Sequence, residues 1–300
     1  MKVAKTIESV RLLVKQARRA GPPVGETSGR TIGLVPTMGA LHEGHISLIK
    51  RSVKNGDFVV VSIFVNPMQF GPKEDFSKYP RPIQADLKIC KEQGVDVVFA
   101  PSAEEIYKGG PSTALGTGTV TCVDVEKLSE PMCGEFRRGH FRGVATVCAK
   151  LFNIVCPDFA YFGQKDAQQA AIIKRMVADL NFPLKIVVCP TVRAADGLAL
   201  SSRNKYLSAE ERQDATCIYR ALKAGKEMIR GGTRSPKTIV GKMRKIISDS
   251  PALTGIDYIS IVDADTLQGL NRIAGRVLIA VAIRMGKTRL IDNIIVDAGG

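Results

Sequence analysis

The chain has 300 residues, 45% apolar and 24% charged, a balance that suits a globular protein with a sizeable core. It contains no uninterrupted apolar run of about 18 residues, which argues against a membrane-spanning helix. The net charge of +14 is spread out, with 16 basic and 10 acidic residues in 204–300 against 27 and 19 before them; together with the absence of tryptophan this favours anionic small molecules over nucleic acid as partners.

Taken in order, Ile7, Val10, Leu13, Val14 and Ala17 recur at helical spacing and predict a surface helix in the basic N-terminal stretch. Residues 21–29 (GPPVGETSG) have loop composition. A β-rich run, Thr31–Val35, meets a Pro/Gly turn and then an amphipathic segment reaching about Asn55, so strand, loop and helix are predicted, with His42 and His45 at the helix start. Asp57–Val65 is a continuous β-branched run, as in a strand buried on both faces of a parallel sheet, and it ends in the proline-rich loop Asn66–Pro72. A helix over Gln84–Gln93 and a strand over Val95–Ala100 follow. Residues 101–118 read as loops with a short helix. A Gly/Arg-dense segment, Glu130–Gly143, leads into a helix over Val144–Val155, which Pro157 stops. Asp158–Phe162 predicts a strand, Ala167–Leu180 a helix with Asp166 as its N-cap, and Leu184–Cys189 another strand.

This alternation argues for an α/β fold with a Rossmann-like, doubly wound parallel sheet. Beyond Ser208 the texture changes to helices over 208–231 and 236–249 and strands over Asp257–Val262, Arg276–Ile283 and Arg289–Val296. That predicts a smaller α+β unit with antiparallel strands. The boundary falls near 190–204, giving domains 1–195 and 196–300. The seven cysteines are odd in number and form no C-x-x-C, which suits free thiols in a reducing cytosol.

Two of the three histidines stand three residues apart at a helix start, where unpaired N–H groups and the positive dipole end favour an anion. A zinc site drawing on His140 and Cys133, or a purely structural capping pair, are the alternatives. Lys165, between a buried strand and a helix start, is either a solvated lysine or a phosphate contact. Ser201-Ser202-Arg203 suits a turn as well as an anion loop, and Asp86 a first-turn helix acid as well as a magnesium ligand. Gln69 and the run Arg137, Arg138, Arg142 are equally open when taken singly.

Four segments occur in this order: Pro36-Thr37-Met38-Gly39-Ala40-Leu41-His42-Glu43-Gly44-His45, Phe64-Val65-Asn66-Pro67-Met68-Gln69-Phe70, Phe162-Gly163-Gln164-Lys165-Asp166-Ala167-Gln168-Gln169 and Asp196-Gly197-Leu198-Ala199-Leu200-Ser201-Ser202-Arg203-Asn204. Together they resemble the pantothenate synthetase (pantoate–β-alanine ligase) family of the nucleotidyltransferase superfamily, over nearly the whole chain. The resemblance implies an AMP-forming ligation, in which ATP and pantoate give a pantoyl-adenylate and pyrophosphate, and β-alanine then displaces AMP.

It further implies His42, His45 and Lys165 as catalytic groups. Pro36, Thr37, Met38, Gly39, Gly163, Gln164, Asp166, Val192, Leu200, Ser201, Ser202 and Arg203 would join them at ATP. Gln69 would contact pantoate and β-alanine, Gln169 pantoate, and Asp86 Mg²⁺. It implies a cytoplasmic homodimer acting on small molecules, with no nucleic acid or membrane partner and with the smaller domain as a lid. Three positions depart from the family's pattern: Leu200 where many relatives have methionine, and Gln164 and Cys133 where many have glutamate. Residues 21–29 form a longer loop than is usual. A nucleotidyltransferase acting on another substrate, or a basic nucleic-acid-binding module, are the competing functions.

Overall fold

A computed structural model of the chain describes residues 1–20, 30–72, 74, 76–108 and 120–299. The predicted loop at 21–29 and most of that at 101–118 lie outside the described residues. The chain falls into two compact units, one of Met1–Ser129, Arg137–Gly163 and Ile172–Cys189, the other of Glu130–Phe136, Gln164–Ala171 and Pro190–Gly300.

The elements in chain order are β1 (Lys2–Ala4), α1 (Ile7–Arg19), β2 (Ile32–Thr37), α2 (Glu43–Lys54), β3 (Phe58–Ile63), α3 (Ile83–Glu92), β4 (Val97–Phe99), α4 (Ala103–Ile106), α5 (Cys133–Phe136), α6 (His140–Val155), β5 (Phe159–Gly163), α7 (Ala167–Asp179), β6 (Lys185–Cys189), α8 (Ala209–Asp214), α9 (Cys217–Arg230), α10 (Pro236–Ser248), β7 (Leu253–Asp263), β8 (Arg276–Met285) and β9 (Thr288–Asp297). Three 3₁₀ turns interrupt them, at Pro67–Gln69, Gln164–Asp166 and Ser202–Tyr206. No helix of the described residues is long and apolar enough to cross a membrane.

In the first unit six strands form one sheet in the order β1-β4-β3-β2-β5-β6, all pairs parallel. Strand order reverses between β2 and β5, the doubly wound arrangement that the alternating pattern predicts. Rules for such sheets place ligands outside the carboxyl ends of the strands at this reversal, and the loop that leaves β2 there carries Met38–His42. The core gathers Val35, Val59, Val61 and Val98 from the strands with Leu48 and Ile49 of α2. β1 was not expected: three residues offer no alternation to read, and its place is set by pairing Lys2–Ala4 with Val97–Phe99.

A buried carboxylate locks α2 to this sheet. Asp57 is 0% exposed. It accepts hydrogen bonds from Thr31 Oγ1 (2.8 Å), Asn55 Nδ2 (3.1 Å), Ser52 Oγ (2.8 Å) and Tyr161 Oη (2.5 Å). Burial, reinforced by the Asp57 carboxylate, pushes the Tyr161 hydroxyl up, so it stays a donor. Beside this knot lies Gly33 of β2, where a Cβ would collide with Ser52 Oγ and Asp57 Oδ2.

The turn after β3 is held from α6 and the segment before it. Gly143 lets α6 lie directly on the Met68 carbonyl, with which a Cβ there would collide. Arg137 pairs with Glu74 through Nε (2.7 Å) and Nη2 (2.5 Å) and donates from Nη2 to the Gln69 carbonyl at 3.3 Å. His140 Nδ1 lies 2.8 Å from that carbonyl. Arg137, left open by the sequence, thus supports the turn after β3. α6 also begins at His140, four residues before the predicted start, because Gly139 adopts the left-handed N-cap conformation (φ +79°).

In the second unit α9 and α10 pack together and on a three-stranded antiparallel sheet, β7-β8-β9, as the changed texture beyond Ser208 predicts. The core combines Ile218, Leu222 and Ile229 of α9 and Ile239, Met243 and Ile247 of α10 with Ile259, Ile279, Val281 and Ile283 of the sheet. The stretch expected as one helix over 208–231 divides into α8 and α9 at Ala215–Thr216. Ser208 and Glu211 form a separate capping box for the first piece. All seven cysteines are free.

Gly33→Ala is expected to destabilise the first unit by about 3 kcal/mol, because the added methyl must displace a buried, satisfied polar knot; a urea unfolding midpoint that does not move would contradict this. Burial raises the Glu74 carboxyl, but the hydrogen bond and charge of Arg137 outweigh it and hold the group below its ordinary 4.5. Its ion pair therefore adds stability above pH 4.5 that is lost as pH falls through the lower folded value. Glu74→Gln should be less stable than the natural chain near pH 7, by about 1 kcal/mol for a partly exposed pair. The two melting curves should converge at lower pH.

Candidate active site

Expected site residues fall in both units, and each group is built by its own unit. In the first unit β2 ends at Thr37, and the chain turns through two consecutive left-handed residues, Gly39 (φ +78°) and Ala40 (φ +50°). A non-glycine residue in that region needs support from its surroundings. Asp86 of α3 supplies it, accepting from Ala40 N at 2.9 Å and Leu41 N at 2.8 Å. Thr37 Oγ1 accepts from Gly39 N at 3.1 Å and donates to the Ser62 carbonyl.

Helix α2 then starts with an unusual reciprocal cap. His42 is the N-cap, its Nδ1 accepting from Gly44 N at 3.1 Å, while His45 Nδ1 accepts from His42 N at 3.3 Å. The rings lie 4.2 Å apart. The capping pair considered from the sequence is therefore real, and it is compatible with chemistry. Backbone N–H groups occupy the Nδ1 lone pairs, so each neutral ring carries its proton on Nε2. The two imidazoles are donors held at the positive end of a helix.

Gln69, in the 3₁₀ turn after β3, donates from Nε2 to Met38 Sδ at 2.9 Å, and its Oε1 accepts from Asn66 Nδ2 at 3.2 Å. Asn66 is 1% exposed and was not singled out in the sequence. The signal was an asparagine opening an N-P turn beside Gln69, which reads as ordinary turn chemistry.

Asp86 does not fit the metal role that the resemblance implies. It is 1% exposed, and both oxygens are engaged by the Ala40–Leu41 backbone. Burial raises its carboxyl against the pull of those two hydrogen bonds. Asp86 is an anchor for the turn that carries Met38 to His42.

In the second unit the turn Gln164–Asp166 is clasped by β9. Asn293 Nδ2 donates to the Gln164 carbonyl (3.0 Å) and the Lys165 carbonyl (2.8 Å), and Gln164 Nε2 donates back to Asn293 Oδ1 (3.0 Å). Lys165 Nζ lies 3.9 Å from Asp166 Oδ1. Asp166 closes this turn and immediately precedes α7. Gln169 is half-buried on the first turn of α7. Next to Asn293, Asp292 forms a bidentate pair with Arg193 at 2.5 and 3.0 Å. Burial raises the Asp292 carboxyl, opposed by Arg193 and by the charge of Lys165.

Val192 and Leu200 face one another across a small hairpin, with Leu200 N donating to Val192 O at 3.0 Å. Its turn contains Gly197 (φ +92°), where any Cβ would collide with the Tyr219 ring. Ser201 then caps the 3₁₀ turn, its Oγ accepting from Arg203 N at 3.3 Å. The serine loop is thus a structured helix entry carrying Ser202 and Arg203 in its first turn. Asn293, Asp292 and Arg193 were missed because a strand pattern gives no hint of which distant turn a polar residue supports.

A family model for pantoate-beta-alanine ligase matches residues 2–295. The chain is 53% identical over 297 residues to a pantothenate synthetase of Moorella thermoacetica, covering 99% of both chains. It is 50% identical over 300 residues to one of Acetivibrio thermocellus, covering 99% of this chain and all of the relative. The crystal structure of pantothenate synthetase from Thermus thermophilus superposes with a TM-score of 0.87 at 41% identity over the full length of both chains. That of a pantoate-beta-alanine ligase from Francisella tularensis, complexed with beta-gamma ATP and beta-alanine, superposes with a TM-score of 0.75 at 35% identity, covering 98% of this chain and 97% of that one. With motifs, fold and relatives agreeing over nearly all of its length, the chain belongs to the pantoate–β-alanine ligase family.

Proposed function

We propose that the chain joins pantoate to β-alanine at the expense of ATP, through a pantoyl-adenylate. The supporting observation within the molecule is the reciprocal His42/His45 cap, two Nε2–H donors fixed at a helix start beside the strand-order reversal. The ligand-bound Francisella relative supports ATP and β-alanine as substrates.

In the first step a pantoate carboxylate oxygen attacks the α-phosphorus of ATP, a P–O bond forms, and the bond to the β-phosphate oxygen breaks to release pyrophosphate. No covalent enzyme nucleophile is required. The demand is for in-line placement and for donors where negative charge moves onto the phosphates. We assign that work to His42 and His45, to the α2 N-terminus, and to Lys165, with Ser201, Ser202 and Arg203 on the nucleotide.

Pro36, Thr37, Met38, Gly39, Gly163, Gln164, Asp166, Val192 and Leu200 complete the ATP contacts. Gln69 and Gln169 hold pantoate. In the second step the β-alanine amine attacks the acyl carbon, the C–O bond to AMP breaks, and the amine loses a proton as the amide forms. Because Asp86 is committed to backbone N–H groups, no step is assigned to a protein-bound Mg²⁺; an ion that accompanies ATP would be held by its phosphates and water. A homodimeric, cytoplasmic state belongs to this proposal through the family resemblance.

With pure protein, MgATP and D-pantoate, ATP–pyrophosphate exchange should appear, and AMP should be released when β-alanine is added. Absence of both sinks the assignment. His45→Ala and Lys165→Ala should each lower the exchange rate by at least about 100-fold, the usual cost of one preorganised donor, while circular dichroism stays unchanged. Near-normal exchange in a folded variant would remove that residue from the reaction.

A further inference from the structure

The orientation of the Gln69 amide is settled by a chain of contacts that starts at the backbone and ends at a tyrosine far from it in sequence. Asn66 Oδ1 accepts the Met68 N–H at 3.2 Å, and Asn66 Nδ2 donates to the Gly143 carbonyl at 3.0 Å. A backbone N–H can only donate and a carbonyl can only accept, so these two contacts leave one possible orientation for the Asn66 amide.

The second hydrogen of Nδ2 then goes to Gln69 Oε1, which turns the Gln69 NH₂ the other way, toward Met38 Sδ. The remaining lone pair of Asn66 Oδ1 is taken by Tyr107 Oη at 2.7 Å. All four hydrogen-bonding positions of the Asn66 amide are thereby filled. Tyr107 is 3% exposed, and burial pushes its hydroxyl up, which keeps it a donor. The Tyr107 ring packs 6.1 Å from that of Phe64, and Lys150 Nζ lies 5.5 Å from it.

We propose that Tyr107 is a positioning residue for this ligase, acting through Asn66 to hold the Gln69 amide with its NH₂ group presented and its oxygen turned inward. An amide presented in this sense suits a ligand that accepts hydrogen bonds, such as the carboxylate or hydroxyl oxygens of a hydroxy acid, and disfavours one that donates. Deleting the Tyr107 hydroxyl leaves Asn66 Oδ1 with the Met68 N–H as its one partner, so the Asn66 amide keeps its sense but is held less tightly, and the Gln69 amide with it. The proposal rests on the assignment of Gln69 to pantoate, and the test separates the two.

Tyr107→Phe, Gln69→Ala and the double variant are made in the full chain, and KM for D-pantoate, KM for ATP and kcat are measured for each. Tyr107→Phe removes one oxygen and keeps the ring packing. It should raise the pantoate KM about tenfold and leave the ATP KM within twofold. In the Gln69→Ala background the same change should have no further effect on the pantoate KM, whereas a purely structural role would add its cost there too.

Asn66→Asp is the second variant, keeping both acceptor contacts and losing the donor to Gln69 and to the Gly143 carbonyl. The same selective rise in pantoate KM is expected, including where Tyr107→Phe fails to fold. A natural pantoate KM in Gln69→Ala overturns the assignment of Gln69. A natural pantoate KM in folded Tyr107→Phe or Asn66→Asp, with Gln69→Ala impaired, overturns the role of Tyr107.

Discussion

The site residues of the first unit depend on one buried carboxylate. The loop after β2 must reverse direction within a few residues to start α2. It does so through Gly39 and Ala40 in the left-handed region, where Ala40 has no intrinsic reason to stay. Asp86 makes that conformation stable by accepting from Ala40 and Leu41 together, and the same turn then delivers His42 to the N-cap position. The carboxylate that would otherwise read as a metal ligand is spent on geometry.

The site residues of the second unit follow the same physical logic. The 3₁₀ turn Gln164–Asp166 is too short to satisfy its own carbonyls, and Asn293 accepts that task from β9. Asn293 is in turn fixed by its neighbour, because Asp292 accepts from the Asn293 N–H and holds Arg193. Arg193 lies 4.3 Å over the Tyr219 ring, the same ring that forbids a side chain at Gly197. Lys165, the Val192–Leu200 hairpin and the serine loop thus hang from one network within the second unit. That places the flexible side chains of the site on backbone that cannot drift independently.

Strand and helix order was legible because buried parallel strands such as Asp57–Val65 leave uninterrupted β-branched runs, and because residues such as Ile7, Val10, Val14 and Ala17 recur at helical spacing. The short β1 was not legible, since only its pairing with β4 makes it a strand. Residues that contact a ligand tend to lie in recognisable segments at strand ends; residues that hold those segments do not. Asn66, Tyr107, Asn293 and Asp292 are of the second kind. Each is an ordinary polar residue whose role depends on a partner that is remote in sequence or in an unremarkable turn, and only the fold brings the partner near. Asp86 shows the converse, a residue legible as acidic whose burial and backbone partners could not be read.

The two positions where the resemblance implies glutamate can be weighed by the same reasoning. Gln164 keeps the length of the side chain and exchanges one acceptor for a donor, which Asn293 Oδ1 accepts at 3.0 Å, so the turn loses a charge and keeps its clasp. Cys133 is the larger change, since a thiol replaces an anion beside Arg289 Nη2 at 3.5 Å and Tyr258 Oη at 3.1 Å. A buried guanidinium left without a counter-charge would be costly, but Arg289 Nε reaches Asp257 at 2.6 Å. Asp257 also accepts from Arg284, so one acidic residue serves two arginines. Gln168 meanwhile accepts from the Cys133 N–H and donates to the Pro131 carbonyl, holding that turn through backbone atoms that any side chain at position 133 would retain. A carboxylate is therefore dispensable at position 133 for the fold, because neither the arginine nor the turn relies on it.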